Sequence, residues 1–154
     1  MSKAITLFLA CVALAACSGT PYQHIGVGGG YSDKMIAPAK WNVKFIANVA
    51  NPDGFAQKAT FYRAAEISKK AGFPFFQVVD GNVERTLHTY AAGGSAWQAR
   101  DGGQTARLTI VGARQNSPVA PCEAANSRIC GVFNSEEILA ELAATMKAKG
   151  HLSQ

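Results

Sequence analysis

The sequence lacks the patterns by which an enzyme active site is usually found. It has three histidines, none with a second ligand four residues away or a cysteine nearby, so no metal-binding motif is present. No Gly-x-Ser-x-Gly turn occurs, the motif that exposes a nucleophilic serine in α/β-hydrolases. The only adjacent carboxylates are Glu136 and Glu137, at an expected helix start where acidic residues stabilise the helix dipole. We therefore expect a protein that is not an enzyme and that uses no metal or other cofactor.

Charge is also sparse, and it is dispersed. Charged residues make up 16% of the chain, the formal net charge is +5, and the only basic pair is Lys69-Lys70. Nucleic-acid-binding proteins cluster their cations on one surface, so we expect no nucleic-acid partner and only a weak preference for anionic envelope surfaces. The 154 residues, of which 48% are hydrophobic, suffice for one domain with a core.

The one long apolar run lies at the N-terminus, from Ala4 to Ala16, after the single cation Lys3. As a helix its 13 residues span about 20 Å, too short for the roughly 30 Å of bilayer hydrocarbon. This layout is typical of a secretory signal peptide, here residues 1–16. The run ends in Leu-Ala-Ala followed by Cys17, which resembles the lipobox of bacterial lipoproteins over residues 1–17.

The lipobox resemblance implies a processed and lipidated protein. In that family the cysteine is acylated and becomes the mature N-terminus, so Cys17 would attach the chain to a membrane. Stable anchoring needs more than one hydrophobic signal, and bacterial lipoproteins carry up to three chains on this cysteine. Ser18, where an Asp favours the inner membrane, implies the outer membrane, with the domain facing the periplasm. The alternative is a secreted protein in which Cys17 is incidental.

Two further cysteines, Cys122 and Cys130, remain in the mature chain. In an oxidising compartment a nearby pair predicts a disulfide, whose nine-residue loop contributes about 2.5 kcal/mol on a chain-entropy model. The alternative, a metal or redox site, is disfavoured because the Cys-x7-Cys spacing matches neither zinc pairs nor Cys-x-x-Cys motifs.

Hydrophobic periodicity predicts an α+β fold. Residues 17–40 are rich in Gly and Pro and predict a flexible tether of about 25 Å, followed by a single domain over 41–154. In that domain we expect a sheet of four or five strands, mixed or antiparallel, with two helices packed on it. Asp80-Gly81-Asn82 predicts a hairpin turn, Asp53 a helix cap, and residues 91–104 a flexible loop in which Trp97 either contacts a partner or packs back on the sheet. The expected strands are 41–49, 75–79, 83–90, 105–112 and 128–133, and the expected helices are 55–71 and the segment from Asn134 onward.

A second resemblance joins the tether to the domain. Gly29-Gly30-Tyr31-Ser32-Asp33 and Arg63-Ala64-Ala65-Glu66 resemble an uncharacterised family of small bacterial envelope lipoproteins marked by these two motifs. Family members usually carry Gly-Asn where this chain has Ala47-Asn48. Because that family has no assigned activity, the resemblance implies an envelope location and a fold of helices and strands, but no chemistry.

The motif residues also predict an ion pair. Arg63 and Glu66 are three apart on one helical face and can pair there at a gain of a few tenths of a kcal/mol. A sharper hypothesis is that Arg63 binds Asp33 and so folds the Gly-Tyr-Ser-Asp stretch back onto the domain. We expect a structural role for this pair rather than a ligand site.

Together these features predict a lipid-anchored, non-enzymatic binding or structural module that contacts another component of the envelope. The alternative is a periplasmic enzyme or small-ligand binder acting on an envelope component, which would require a pocket with converging polar groups.

Overall fold

The computed structural model describes residues 18–92, 96–124 and 129–150. The predicted signal peptide and Cys17 lie outside these residues. Five strands and two helices form an α+β fold, which confirms the predicted class. The elements are β1 (Gly30–Ala37), β2 (Lys40–Ala47), α1 (Phe55–Lys70), β3 (Phe75–Ala92), β4 (Ala96–Ala113), β5 (Gly131–Asn134) and α2 (Ser135–Gly150).

All neighbouring strands of the sheet are antiparallel, in the order β1-β2-β4-β3-β5. Since β2 and β3 both run antiparallel to β4, they are parallel to each other. Helix α1 makes the crossover between them and packs on β2, β3 and β4, while α2 packs beside α1. Within the described residues, no helix is both long and apolar enough to span a bilayer.

Strand β2 shows why one face of the sheet is buried. Trp41, Val43 and Phe45 alternate with more exposed residues, and these three side chains lie in the core beneath the helices. The small residues Ala64 and Ala65 of α1 are fully buried, so the helix approaches the sheet closely. The predicted strand and helix are therefore confirmed, with bounds that differ by one or two residues.

The predicted hairpin turn at residues 80–82 is wrong. Strand β3 continues through it, with an irregularity between Val78 and Asp80, and pairs with β4 instead. A Cβ on Gly81 would lie 2.6 Å from Leu108 Cδ2 and 2.9 Å from the Arg107 carbonyl oxygen. Glycine is needed here because β4 approaches closely, not because the chain turns. The loop predicted over 91–104 is also wrong where the structure describes it, because residues 91–92 belong to β3 and residues 96–104 to β4.

The predicted tether is wrong for residues 30–40, which form β1 and the start of β2. Tyr31 pairs with Phe45 and Asp33 with Val43 across this antiparallel ladder. Much of β1 is exposed, so it lacks the buried alternation by which β2 could be predicted.

The two helices begin differently from one another. Residue Asp53 does not cap α1, because the N-cap is Gly54, in a left-handed conformation and without a side-chain hydrogen bond. The Asp53 carboxylate instead lies 2.7 Å from Arg85 Nη2. At α2 the prediction is confirmed, since Asn134 Oδ1 accepts hydrogen bonds from the backbone N–H groups of Glu136 at 2.9 Å and Glu137 at 3.3 Å.

Candidate functional site

The N-terminal segment, residues 18–29, is held against the end of β2 by polar contacts. The buried Thr20 donates its backbone N–H to Asn51 Oδ1 at 2.7 Å, and its hydroxyl donates to the Gly28 carbonyl at 2.7 Å. The same hydroxyl accepts the Asn48 backbone N–H at 2.9 Å. Asn48 Nδ2 also donates to the Ser18 carbonyl at 3.0 Å. The chain is therefore fixed to the domain from the first described residue, directly after Cys17.

Glycines allow this segment to approach the sheet. Gly29 has a φ of 109°, and a Cβ there would lie 2.2 Å from the Ile46 carbonyl oxygen. Gly30 has a φ of 125°, and a Cβ there would lie 2.6 Å from the Gln23 carbonyl oxygen. Only glycine combines that backbone conformation with so close a contact. The Gly-Gly of the first motif therefore lets the N-terminal segment fold over β1.

The predicted ion pair of Arg63 is present. Its Nε donates to Asp33 Oδ1 at 2.8 Å, and its Nη1 donates to Glu66 Oε2 at 3.0 Å. The guanidinium carbon lies 4.3 Å from the centroid of the Tyr31 ring, within cation–π distance. Because Asp33 is on β1 and Glu66 on α1, one side chain joins the edge strand to the helix. We call Tyr22, Tyr31, Asp33, Arg63 and Glu66 the Arg63 cluster.

Tyr22 brings the N-terminal segment into this cluster, and sequence reasoning missed it. Its hydroxyl donates to Glu66 Oε2 at 2.5 Å, and its ring centroid lies 4.9 Å from that of Tyr31 and 5.0 Å from that of Tyr62. Burial and the hydrogen bond to Glu66 raise the pKa of Tyr22 well above its usual range. The phenol therefore stays protonated as a donor. The sequence feature that could have indicated this role is the presence of an aromatic residue within a Gly- and Pro-rich stretch.

The charge on Arg63 is maintained although the side chain is partly buried. Desolvation lowers the pKa of its guanidinium, but hydrogen bonds to Asp33 and Glu66 outweigh this effect, and the net pKa is raised. A permanent cation therefore pairs with both carboxylates. Tyr22, Asp33, Arg63 and Glu66 thus hydrogen-bond to one another, which favours a structural role over catalysis.

A second candidate is the face of the sheet opposite the helices, which we call the open face. A shallow groove of about 540 Å³ runs across it, and its lining includes Lys34, Lys44, Asp80 and Arg107. The Arg107 guanidinium donates to Glu84 Oε2 at 2.8 Å and lowers the pKa of that carboxyl. The groove thus presents mixed charges in cross-strand rows, suited to polar contacts with a partner. Among the described residues, no group of three or more His, Cys, Asp or Glu side chains is placed to hold a metal ion.

The predicted disulfide between Cys122 and Cys130 is present, with their Cα atoms 5.9 Å apart. It fixes a segment that covers one end of the open face. There the buried Gln77 side chain accepts the backbone N–H groups of Val119 at 2.7 Å and Ala120 at 3.0 Å. The disulfide is therefore a structural constraint on this segment.

Comparison with known proteins yields no match to this chain among family models, curated proteins or solved structures. The function proposed below therefore depends on the residues and on their geometry.

Proposed function

We propose that this protein is a lipid-anchored lipoprotein of the bacterial outer membrane, and that it acts as a non-enzymatic binding or structural module in the envelope. The sequence support is the Leu-Ala-Ala-Cys motif, which resembles a lipobox and would make Cys17 the acylated residue. Two or more fatty chains on one cysteine would give stable attachment to a membrane.

The observation that carries the proposal is the fixed N-terminal segment. Ser18 is hydrogen-bonded to Asn48, and Thr20 is buried two residues later. Consecutive Cα atoms are about 3.8 Å apart, so a lipid on Cys17 would lie close to the domain rather than at the far end of a tether. In the Arg63 cluster, Tyr22 and Tyr31 secure the same segment a few residues further on. This arrangement suits a chain whose first residue is a fixed attachment point.

The open face supports the binding role. Its groove places cations from β1, β2 and β4 beside Asp80 of β3, on a surface that the helices leave uncovered. We infer that an envelope component with polar groups of both signs contacts the domain there. The same groove favours a second candidate function, the binding of a small polar ligand.

Fatty-acid labelling tests the anchor. Cells that express the full chain should incorporate labelled palmitate into wild type and into Cys11→Ala, whose substitution lies in the predicted signal peptide. Cys17→Ala should lose the label. The intact mass of the wild-type product should correspond to a chain that starts at Cys17 and carries fatty chains. A product that begins elsewhere, or begins at Cys17 without added mass, would contradict the proposal.

A further inference from the structure

Strand β1 lies at the edge of the sheet, and its outer side is only partly paired. The Tyr31 backbone N–H donates to the Gln23 carbonyl at 2.8 Å, and the Tyr31 carbonyl accepts the Ile25 N–H at 2.7 Å. The N-terminal segment thereby adds one parallel bridge to β1, between His24 and Tyr31. Among the described residues, no other backbone group bonds to the outer side of this strand.

This contact shows which backbone groups of β1 point away from the sheet. Both polar groups of Tyr31 bond to the N-terminal segment, so the Tyr31–Phe45 pair is not a hydrogen-bonded pair of the ladder. Hydrogen-bonded and non-hydrogen-bonded pairs alternate along antiparallel strands, and the register with β2 is regular from Gly30 to Met35. The N–H and C=O groups of Asp33 and Met35 therefore point outward, where they are open to a further strand.

A cleft lies beside this free edge, between β1 and the second half of α1. Its volume is about 450 Å³, and its lining includes the buried side chains of Trp41 and Ile67. Met35 also lines the cleft, and it is a large apolar side chain that is 58% exposed. Successive side chains of a strand point to opposite faces of a sheet, so every second residue of an added strand would point toward this cleft. Apolar residues at those positions would cover Met35.

The cations around the free edge indicate the charge of a partner. Lys34 lies at the middle of the edge, on the open face, and it forms no ion pair with a described residue. The same is true of Lys70, which lines the cleft at the end of α1. The carboxylates of Asp33 and Glu66, by contrast, are already paired with Arg63. An acidic side chain opposite Lys34 would form a cross-strand ion pair.

A second copy of this chain fits the edge poorly. Antiparallel pairing of two β1 strands through the free groups of both Asp33 and Met35 would put Lys34 of one copy directly opposite Lys34 of the other. Like charges placed in this way are destabilising, and a lysine on an edge strand is a common protection against pairing between copies. The same lysine favours a partner that carries an acidic residue at the facing position.

We propose that the free edge of β1 binds an extended segment of another envelope protein as an additional strand of the sheet. The segment alternates acidic residues, which face Lys34, with apolar residues, which enter the cleft beside Met35. In this mode of recognition the main-chain hydrogen bonds provide affinity and the alternate side chains provide specificity. The inference rests on the binding role proposed above and names the kind of partner, but it does not depend on the lipid anchor.

Amide hydrogen exchange with a synthetic peptide tests the strand addition. The probe is a short peptide, capped at both ends, in which Val alternates with Glu, and its counterpart alternates Val with Lys. At a Glu-peptide concentration about tenfold above its dissociation constant, exchange at the Asp33 and Met35 amides of the full-length chain should slow about tenfold, because the unbound fraction falls by that factor. The Lys34 amide faces β2 within the ladder, so its exchange serves as the internal reference.

Reversal of charge tests the chemistry assigned to the partner. Lys34→Glu should lose the Glu peptide and bind the Lys peptide instead. The matched control is Lys58→Glu, which makes the same change in net charge on an exposed residue at the other end of α1 from the cleft, and it should bind the Glu peptide as wild type does. Met35→Ser should weaken binding of the Glu peptide and leave the fold intact, because this side chain is exposed.

Several results would overturn the proposal. Peptide binding that leaves exchange at Asp33 and Met35 unchanged would show docking elsewhere, and absence of binding at about 1 mM peptide would count equally against it. Equal binding of the Glu peptide by wild type and Lys34→Glu would refute the assigned charge. Slow exchange at both amides before peptide is added, together with a dimeric mass, would show that a second copy occupies the edge. A missing fatty-acid label would contradict the lipid anchor alone.

Discussion

Replacing Arg63 by alanine tests whether the N-terminal segment is held by the Arg63 cluster. The change removes hydrogen bonds of 2.8 Å to Asp33 and 3.0 Å to Glu66 and the contact with the Tyr31 ring. It leaves two carboxylates close together without their cation. We expect β1 and the N-terminal segment to lose their attachment to α1.

The expected loss of stability follows from the burial of the cluster. Hydrogen bonds to charged groups contribute about 1.5–3 kcal/mol each, and a cation–π contact about 0.5–1 kcal/mol. The side chains of Arg63, Asp33 and Glu66 are 24%, 25% and 32% exposed, so water can hydrate part of what the substitution leaves unpaired. We therefore expect Arg63→Ala to lower the free energy of unfolding by about 2–4 kcal/mol, below the sum of the separate contributions.

Urea unfolding measures this loss, and Arg85→Ala is the matched control. The pair of Arg85 with Asp53 is 49% and 76% exposed, so its removal should cost less than about 1 kcal/mol. Amide hydrogen exchange should show lost protection at Tyr31 and Ile25 in Arg63→Ala, since each backbone N–H bridges the N-terminal segment and β1. A stability loss equal to that of Arg85→Ala, with protection unchanged at these amides, would refute the assigned role of the cluster.

Two further substitutions probe the same segment. Folding raises the pKa of Tyr22 above the value near 10 that a tyrosine has in the unfolded chain. The protonated phenol therefore stabilises the fold fully below about pH 10, and this stabilisation is lost progressively as the pH rises above about 10. Between pH 9 and 11 wild type should lose about 1.4 kcal/mol more than Tyr22→Phe in urea unfolding, and parallel losses would contradict the burial of the Tyr22 phenol together with its hydrogen bond to Glu66. Gly29→Ala should cost more than 2 kcal/mol, about twice the cost of Gly28→Ala, because both have positive φ but only Gly29 would clash with Ile46. Equal thermal destabilisation of the two glycine variants would show that the segment is not closely packed.

The parts of the fold that could be predicted from the sequence are those buried on one face. Strand β2 alternates because Trp41 and Val43 face the helices, while Asn42 between them is exposed. Strand β1 could not be predicted in this way, since only its first residue is buried. Its place in the sheet is set by pairing with β2 and by the Arg63–Asp33 contact, which periodicity does not report.

The prediction of a turn at residues 80–82 was wrong for a different physical reason. Asp, Gly and Asn favour turns by local conformational preference, yet here the glycine provides space for β4. Local preference cannot distinguish these two uses of glycine. In the candidate site, the contact between Arg63 and Asp33 could be predicted because the two motifs carry opposite charges that can form an ion pair. Thr20 was missed, because a small hydroxyl residue in a Gly-rich stretch carries no pattern until the fold surrounds it.

The fixed N-terminal segment would also restrict how the domain is oriented on a membrane, which a flexible tether would not do. A lipid on a flexible chain would leave the domain free to rotate, whereas the bonds that hold Ser18 and Thr20 to the domain would restrict that rotation. Because Ser18 is bonded to Asn48, directly after β2, that end of the strands would lie nearest the membrane and the open face would look sideways along it. The groove with Lys34 and Asp80 would thereby face components that stand beside the domain in the envelope rather than the lipid surface.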